Sequence, residues 1–126
     1  MEIFNHDSTE SIILKSNFVE LESWISHLNY IEKEISNLMN LGNTEFSTAL
    51  EYQPILVKLS VKIDENRLKL NELTRYRDSL PQMAECEDID CEMYFISEHK
   101  KFRKVYKSHL NSYRSVKEEY FEVLLK

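Results

Sequence analysis

Residues 95–123 read FISEHKKFRKVYKSHLNSYRSVKEEYFEV. Along this stretch, aromatic residues, valines and two histidines recur at alternating spacings of four and three positions. They are Phe95, His99, Phe102, Tyr106, His109, Tyr113, Val116, Tyr120 and Val123. Because this spacing follows one side of an α-helix, it is typical of the buried seam of coiled coils and helical bundles. The stretch therefore predicts a long helix that buries one face against other helices.

Two earlier segments carry the same kind of seam. Between positions 52 and 80 it continues without a slip through Tyr52, Leu56, Leu59, Ile63, Asn66, Leu70, Leu73, Arg77 and Leu80. Between positions 14 and 38 two frames overlap, namely Leu14, Phe18, Leu21, Ile25 and Leu28, followed by Trp24, Leu28, Ile31, Ile35 and Leu38. Overlapping frames give a broad apolar face that can contact two neighbouring helices. Three such helices with short connections predict an all-α, antiparallel up-down-up three-helix bundle.

We predict a single helical-bundle domain over residues 1–126, with helices at about 8–40, 45–80 and 89–124. The first helix begins at a capping box in Asp7-Ser8-Thr9-Glu10. It is expected to end near Gly42, the single glycine of the chain, which suits a left-handed C-cap.

Proline residues mark the limits of the second helix. Pro54 either kinks this helix or marks the start of its regular part, because proline removes an internal hydrogen bond. We favour the kink, since Phe46 and Leu50 continue the apolar face before Pro54. Pro81 ends the helix. The acidic residues between positions 85 and 92 are then expected to cap the third helix and to face its positive dipole end.

Composition supports long helices and limits the classes of partner. One glycine and two prolines in 126 residues leave few helix breakers. Charged residues make up 30% of the chain and hydrophobic residues 42%, which favours a folded domain over a disordered one. The net charge of −6 opposes nonspecific binding to nucleic acid or acidic membranes. No apolar run approaches membrane-spanning length, so no membrane partner is expected.

The first seven residues, MEIFNHD, lack the basic flank and apolar core of a signal peptide, which predicts a cytoplasmic protein. Cys86 and Cys91 are then expected to be reduced. In an oxidising compartment, a pair five positions apart could instead form a local bridge. Since zinc sites use tighter cysteine pairs and four ligands, neither a metal nor a cofactor is predicted.

Residues 18–25, FVELESWI, are similar to the first-helix signature of spectrin-type repeats. The likeness covers a small part of the chain. It implies a long, left-handed three-helix bundle and no catalytic activity.

Among the polar residues in the predicted seams, three are expected to lie within or beside the core. His99 and His109 lie about 15 Å apart along a helix axis, so they cannot share one metal. We expect both at the margin of the core with hydrogen-bonded ring nitrogens. Asn66 should find a polar partner near the level of His99 and Phe102, because a buried amide is costly unless it is paired.

The arrangement Arg103-x5-His109 resembles the active-site motif of HEPN-type RNases, which are all-α and dimeric. The resemblance implies that Arg103 would hold a phosphate and that His109 would assist proton transfer to the leaving group. The residue after the arginine is usually Asn, Asp or His in that family, whereas this chain has Lys104.

The third helix also carries a run of cations without intervening acids. Its candidate basic binding edge comprises Lys100, Arg103, Lys107, Arg114 and Lys117. Such an edge can bind RNA or an acidic partner. The interpretation that we favour is that it faces the glutamates of the first helix or solvent, as charges in bundles commonly do.

On the second helix, Val57, Val61 and Leu68 lie off the seam and form a candidate self-association patch, unless Val57 simply extends the core. No nucleophile–base pair, phosphate-binding loop or metal cluster stands out. The sequence therefore favours a non-catalytic helical interaction or structural module that self-associates as a homodimer, with a protein as partner. The alternative is an RNA-binding protein or HEPN-like RNase that uses the basic edge, although the net charge disfavours nucleic acid.

Overall fold

The computed structural model of the protein describes residues 9–45 and 50–125. In chain order these form α1 (Thr9–Glu45), α2 (Tyr52–Ser79), a connecting 3-10 helix (Leu80–Glu85) and α3 (Ile89–Leu124). Each of the three α-helices packs against the other two, and no strand occurs in the described residues. The predicted fold class, an all-α three-helix bundle, is confirmed.

Contacts between helices define their directions. Glu20 contacts His99 and Glu34 contacts Tyr113, so residue numbers rise together along α1 and α3, which are parallel. Along α2 the numbers fall as those along its neighbours rise, because Asn66 contacts Leu28 of α1 whereas the later residue Arg77 approaches the earlier Glu22. The helices therefore run up, down and up, as the short connections predict.

The register between α2 and α3 differs from the predicted one. The predicted hairpin places Asn66 near the level of His99, but Asn66 contacts His109 and it is Tyr76 that contacts His99. Measured from Phe102, the other residue at the predicted level, to His109, the displacement is about two helical turns. It arises because the chain after α2 continues as the 3-10 helix Leu80–Glu85 before α3 begins, so the connection does not fold back at once.

The predicted seams form the core. Fully buried positions include Leu21, Leu28, Ile35, Leu59, Tyr113 and Tyr120. Residues next to the seams are also buried, and these were not predicted: Ile55, Tyr76, Ile96 and Leu110. They widen the apolar stripes of α2 and α3 so that each helix contacts two neighbours, as a three-helix arrangement requires.

The end of α1 differs from the prediction, because the helix continues through Gly42 to Glu45 and no described residue has a positive φ. A glycine is required at position 42 because there is no room for a side chain. A Cβ at this position would overlap the buried ring of Tyr52, whose hydroxyl donates to the Met39 carbonyl oxygen at 3.3 Å and to Asn43 Oδ1 at 3.0 Å. The missing side chain lets the start of α2 pack closely on the last turns of α1.

Replacing Gly42 with alanine is expected to destabilise the protein by about 1 kcal/mol. Alanine gains about 1 kcal/mol in helix propensity, but overpacking against Tyr52 costs about 1–3 kcal/mol and displaces its hydroxyl. Urea unfolding followed by circular dichroism measures the change. In a Tyr52→Leu background the overlap is relieved, so Gly42→Ala should there become stabilising. The same sign in both backgrounds would contradict the packing role of Gly42.

The kink predicted at Pro54 is wrong, and so is the predicted start of helix 2 at residue 45. α2 begins at Tyr52 with Glu51 as N-cap, so Pro54 lies in the first turn, where backbone N–H groups have no partner within the helix. Leu50 is 90% exposed and does not extend the apolar face. Phe46 lies outside the described residues, as do Asp7 and Ser8 of the predicted capping box.

The connection into α3 is capped as predicted. Asp88 is the N-cap and its Oδ1 accepts a hydrogen bond from the Cys91 backbone N–H at 2.9 Å, while Asp90 and Glu92 occupy the first turn. Cys86 and Cys91 are joined by a disulfide bond, so the expectation of two reduced thiols is wrong for this structure. The bridge ties the connection to the first turn of α3.

Candidate functional site

A row of polar side chains joins α1 to α3 along the bundle, and we call it the polar ladder. Its members are Glu20, His27 and Glu34 of α1 and His99, Tyr106 and Tyr113 of α3. The two residues of each hydrogen-bonded pair are 79 positions apart in sequence. Successive pairs are separated by seven residues on each helix, close to two turns, so the ladder stays on facing sides of the two parallel helices.

The first pair of the ladder belongs to a larger group, the Glu20 cluster, which comprises Glu20, Tyr76, His99 and Arg103. His99 is 1% exposed, with Nε2 2.7 Å from Glu20 Oε1 and Nδ1 2.7 Å from the Tyr76 hydroxyl. Because a carboxylate oxygen only accepts, Nε2 donates, and Nδ1 of the neutral ring accepts from Tyr76. Arg103 donates to Glu20 Oε1 at 2.6 Å and to Oε2 at 3.1 Å.

Electrostatics define the charges of the Glu20 cluster. Hydrogen bonding from Arg103 lowers the pKa of Glu20, against the opposing effect of burial. Burial lowers the pKa of His99, although Glu20 acts in the other direction. Burial also raises the pKa of Tyr76 well above its ordinary value. At neutral pH the cluster thus holds an ionised carboxylate, a neutral imidazole and a protonated phenol, and both imidazole nitrogens have partners.

Trp24 covers the inner side of the ladder. Its indole stacks on His99 at a centroid distance of 4.7 Å and on Tyr106 at 5.1 Å, and it is 4% exposed. The Tyr106 hydroxyl lies 2.6 Å from His27 Nδ1 and forms the second pair. The aromatic layer separates these hydrogen bonds from the aliphatic core and fixes the ring planes.

In the third pair of the ladder, a carboxylate binds both a phenol and an ammonium group. Glu34 Oε1 accepts from the Tyr113 hydroxyl at 2.5 Å and from Lys117 Nζ at 2.8 Å. Burial alone would raise the pKa of Glu34, but the hydrogen bonds from Lys117 and Tyr113 lower it overall. Burial raises the pKa of Tyr113 far above its ordinary value. The phenol therefore stays protonated and acts as a donor.

Asn66 links all three helices in the centre of the bundle. It is 0% exposed, and its Nδ2 donates to the Leu28 carbonyl oxygen of α1 at 2.8 Å. Its Oδ1 lies 2.9 Å from Nε2 of His109 on α3, which must therefore carry the proton. The prediction of a polar partner for Asn66 is confirmed, with His109 in place of a residue at the level of His99. The two seam histidines are hydrogen-bonded as expected, but they are buried in the core and do not lie at its margin.

The bundle divides the predicted basic edge of α3 into two parts. Arg103 and Lys117 bind the ladder carboxylates, which agrees with the interpretation that the edge faces glutamates of the first helix. Lys100, Lys107 and Arg114 are exposed, and within the described part of the chain none of them has an ion pair. Of the five residues of the predicted edge, these three are the ones without an ion pair in the described part of the chain.

The two residues of the RNase-like motif occupy different hydrogen-bond groups. Arg103 binds both oxygens of Glu20, whereas His109 is 6% exposed and donates to Asn66. Burial and the nearby charge of Lys62 lower the pKa of His109. The geometry directs both side chains towards partners within the bundle and does not bring them to a common exposed site.

The predicted self-association patch lies on the outer side of α2. Val57 is 63% exposed, Val61 48% and Leu68 56%, so the alternative in which Val57 extends the core is wrong. A shallow groove of about 370 Å³ between α2 and α3 borders the patch, and Val57, Val61 and Val116 contribute its apolar lining. We define the α2 patch as Val57, Val61 and Leu68.

Sequence reasoning missed two further grooves between α2 and α3. One, of about 490 Å³, lies near the 3-10 connection and is lined by four aromatic and four polar residues. The other, of about 630 Å³, lies beside His109, and four lysines line it: Lys62, Lys69, Lys101 and Lys104. Both grooves combine residues from the flanks of two helices, so they depend on the register, which the sequence did not reveal. The adjacent aromatics Tyr94 and Phe95 were the one local signal.

The described residues offer no obvious place for a metal. No three His, Cys, Asp or Glu side chains among residues 9–45 and 50–125 form a group suited to a metal ion. Cys86 and Cys91 are joined to each other and do not present thiolates. In the same part of the chain, every helix is too short or too polar to cross a membrane.

Comparison with known proteins gives no match. No protein family, curated protein sequence or solved structure is significantly similar to the chain. The resemblances to spectrin-type repeats and HEPN-type RNases are therefore likenesses of short motifs. The α2 patch, with its exposed aliphatic side chains, is the candidate functional site.

Proposed function

We propose that the chain is a non-catalytic α-helical interaction module that self-associates through the α2 patch. The observation that carries this proposal is the exposure of three large aliphatic side chains on one side of α2. The seam residues of α2 pack against α1 and α3, whereas these three residues face solvent. Large apolar side chains grouped on one side of a helix can mark a protein–protein contact.

A second copy of the chain is a suitable occupant of the α2 patch. In a symmetric dimer both copies contribute the same surface. Residues on one side of the two-fold axis in one copy must therefore complement residues on the other side of the axis in the second copy. A two-fold axis near Val61 with antiparallel α2 helices would set Lys58 of one copy opposite Asp64 of the other. Asp64 is 79% exposed, and Lys58, which also contacts Glu119 of its own chain, is 50% exposed. The arrangement therefore buries valines between two pairs of opposite charges.

The double substitution Val57→Lys/Val61→Lys is expected to convert a dimer into a monomer. If the variant dimerised, the introduced lysines of the two copies would meet in a desolvated contact. Such contacts between like charges cost several kcal/mol. Size-exclusion chromatography with light scattering measures the mass. Val19→Lys on α1 is the matched control, because Val19 is 69% exposed and lies off the patch. A single-chain mass for the unmodified protein at high concentration would contradict self-association.

Charge reversal tests the proposed axis separately. Asp64→Lys should weaken the dimer by about tenfold or more, and Lys58→Asp in the same chain should restore part of the affinity. Dissociation constants come from sedimentation equilibrium at low salt. A dimer that resists both the valine and the charge substitutions must use another surface, and the α2 patch would then be rejected.

Binding of single-stranded RNA is the alternative function. Its support is the alignment of Lys100, Lys107 and Arg114, which are exposed and seven residues apart. Salt-sensitive RNA binding that is lost on reversal of these three charges would favour the alternative. Because Arg103 and Lys117 already bind glutamates, we do not extend it to catalysis by Arg103 and His109.

The cytoplasmic location stays a proposal, and the Cys86–Cys91 bridge weighs against it. Disulfides are rare in the reducing cytosol of most cells. Alkylation of free thiols at the moment of lysis, followed by mass spectrometry, decides between the two compartments. A reduced pair in cells would support the cytoplasm.

A further inference from the structure

An aromatic cleft opens between the C-terminal half of α2 and the N-terminal half of α3. Its volume of about 490 Å³ is within the range of small-molecule sites. Its aromatic lining consists of Tyr76, Tyr94, Phe95 and Phe102, and its polar lining of Glu72, Arg75, Ser79 and Glu98. The cleft lies apart from the centre of the α2 patch, so its role is independent of self-association.

The rings of the aromatic cleft form two pairs with different orientations. Tyr76 and Phe102 stack with a centroid distance of 4.4 Å and an interplanar angle of 6°. Tyr94 and Phe95 meet edge to face at 5.4 Å and 77°. Two differently oriented pairs can present ring faces to one bound group from more than one side. Ring faces carry negative potential and attract cations, especially alkylated ammonium groups.

Charged side chains of both signs lie at the cleft. Glu72 and Glu98 contribute two carboxylates from opposite helices, and Arg75 contributes one guanidinium. Each carboxylate already has a lysine partner, with Lys69 3.7 Å from Glu72 and Lys101 3.3 Å from Glu98, so a bound cation would share each carboxylate with a lysine. The negative charge of Glu98 reaches the rings, since it is among the causes that raise the pKa of Tyr76 after burial.

The inner wall of the cleft is held in place without a ligand. The Tyr76 hydroxyl lies 2.7 Å from His99 Nδ1, and the other nitrogen of His99 binds Glu20. Arg103 in turn fixes Glu20. A ring whose hydroxyl is tied into the Glu20 cluster loses little freedom when a ligand arrives, which lowers the entropic cost of binding.

We propose that the aromatic cleft binds a small organic cation with an alkylated ammonium group. The ammonium group packs against the rings of Tyr94 and Phe102, and its charge faces Glu72 and Glu98. A cleft of about 490 Å³ suits a free small molecule better than an extended chain. Arg75 opposes the cation and sets an upper limit to the affinity.

Titration with choline, followed by NMR of the aromatic side chains, tests the proposal. Saturable binding in the millimolar range or tighter is expected. The neutral isostere 3,3-dimethyl-1-butanol should bind about fivefold or more weakly, because it has the same shape and lacks the charge. Equal binding of the two compounds, or no saturable binding of choline, would overturn the proposal. Tighter binding of a trimethyllysine peptide than of choline would overturn the assignment to a free small molecule.

Variants of the cleft should alter choline affinity in opposite directions. Tyr94→Leu and Glu98→Gln are each expected to weaken binding about two- to fivefold, whereas Arg75→Gln should strengthen it. Tyr30→Leu is the matched aromatic control, since Tyr30 and Tyr94 are both 60% exposed. Glu118→Gln is the control for charge. Thermal melts confirm folding of every variant. Equal effects of the cleft and control variants, or weaker binding by Arg75→Gln, would reject the site.

Discussion

Replacing Asn66 with alanine is expected to lower the free energy of unfolding by about 3 kcal/mol. The side chain is fully buried and binds the Leu28 carbonyl oxygen and His109 Nε2. Its loss leaves the N–H of a buried imidazole without an acceptor and opens a cavity between three helices. Either effect alone costs about 1–3 kcal/mol.

A double substitution separates the polar penalty from a general loss of packing. Asn66→Leu with His109→Phe removes both buried polar partners and keeps the volume, so most of the stability should return. Urea unfolding followed by circular dichroism gives the free energies. Asn71→Ala, at an exposed position of α2, is the control and should change stability by less than about 0.5 kcal/mol. A comparably small effect of Asn66→Ala would refute the central role of this amide.

Acidification from about pH 7.5 to 5.5 is expected to destabilise the protein by about 1–3 kcal/mol. Burial lowers the pKa of both His99 and His109 below the ordinary value near 6.5. Between the lowered and ordinary values the unfolded chain binds more protons than the folded one. Their contribution to stability is therefore complete above about pH 6.5 and is lost as the pH falls, by up to about 1.4 kcal/mol per pH unit for each histidine.

The carboxylates of the polar ladder affect stability in a second, more acidic pH range. Because the pKa values of Glu20 and Glu34 are lowered in the fold, their contribution is present above about pH 4.5 and is lost as the pH falls through the lowered values. Unfolding free energies at several pH values measure both windows. The variant Asn66→Leu/His109→Phe should show about half the slope of the natural chain in the histidine window. A free energy that does not change between pH 7.5 and 5.5 would contradict the burial of neutral histidines.

The sequence was sufficient for the fold class because one signal dominated it. The uninterrupted alternation of fours and threes from Tyr52 to Leu80 and from Phe95 to Val123 specified which side of each helix faces inwards. Burial of Leu59, Asn66 and Tyr113 agrees with that frame. Periodicity of this kind reports directly on burial, which is the main source of stability in such a bundle.

Helix limits and register were less predictable because they depend on contacts distant in sequence. Gly42 has the chemistry of a C-cap, but its helix continues to Glu45, and the ring of Tyr52 occupies the space of the missing Cβ. The position of Pro54 in the sequence is compatible with a kink inside a helix and equally with the first turn of a helix. Which residue of α3 lies beside Asn66 depends on the length of the connection between α2 and α3. The 3-10 helix lengthens this connection, and no local sequence pattern predicted it.

The candidate site was partly predictable. The exposure of the α2 patch followed from its position off the seam. The pairing of Arg103 and Lys117 with glutamates of α1 followed from the interpretation that the basic edge of the third helix faces the first helix. The aromatic cleft did not follow, since Tyr94 and Tyr76 come together only once α2 and α3 are in register. Surface grooves between helices are properties of pairs of helices, and a single-helix pattern does not encode them.

The up-down-up order of the helices has a consequence for protein engineering. Thr9 and Leu124 lie at opposite ends of the bundle, because α1 and α3 are parallel and α3 spans 36 residues, about 54 Å. A circular permutant that joins residue 124 to residue 9 therefore needs a linker of about 16 extended residues or more. Tandem fusions, by contrast, can be joined directly end to end, and each added copy would lengthen a rod.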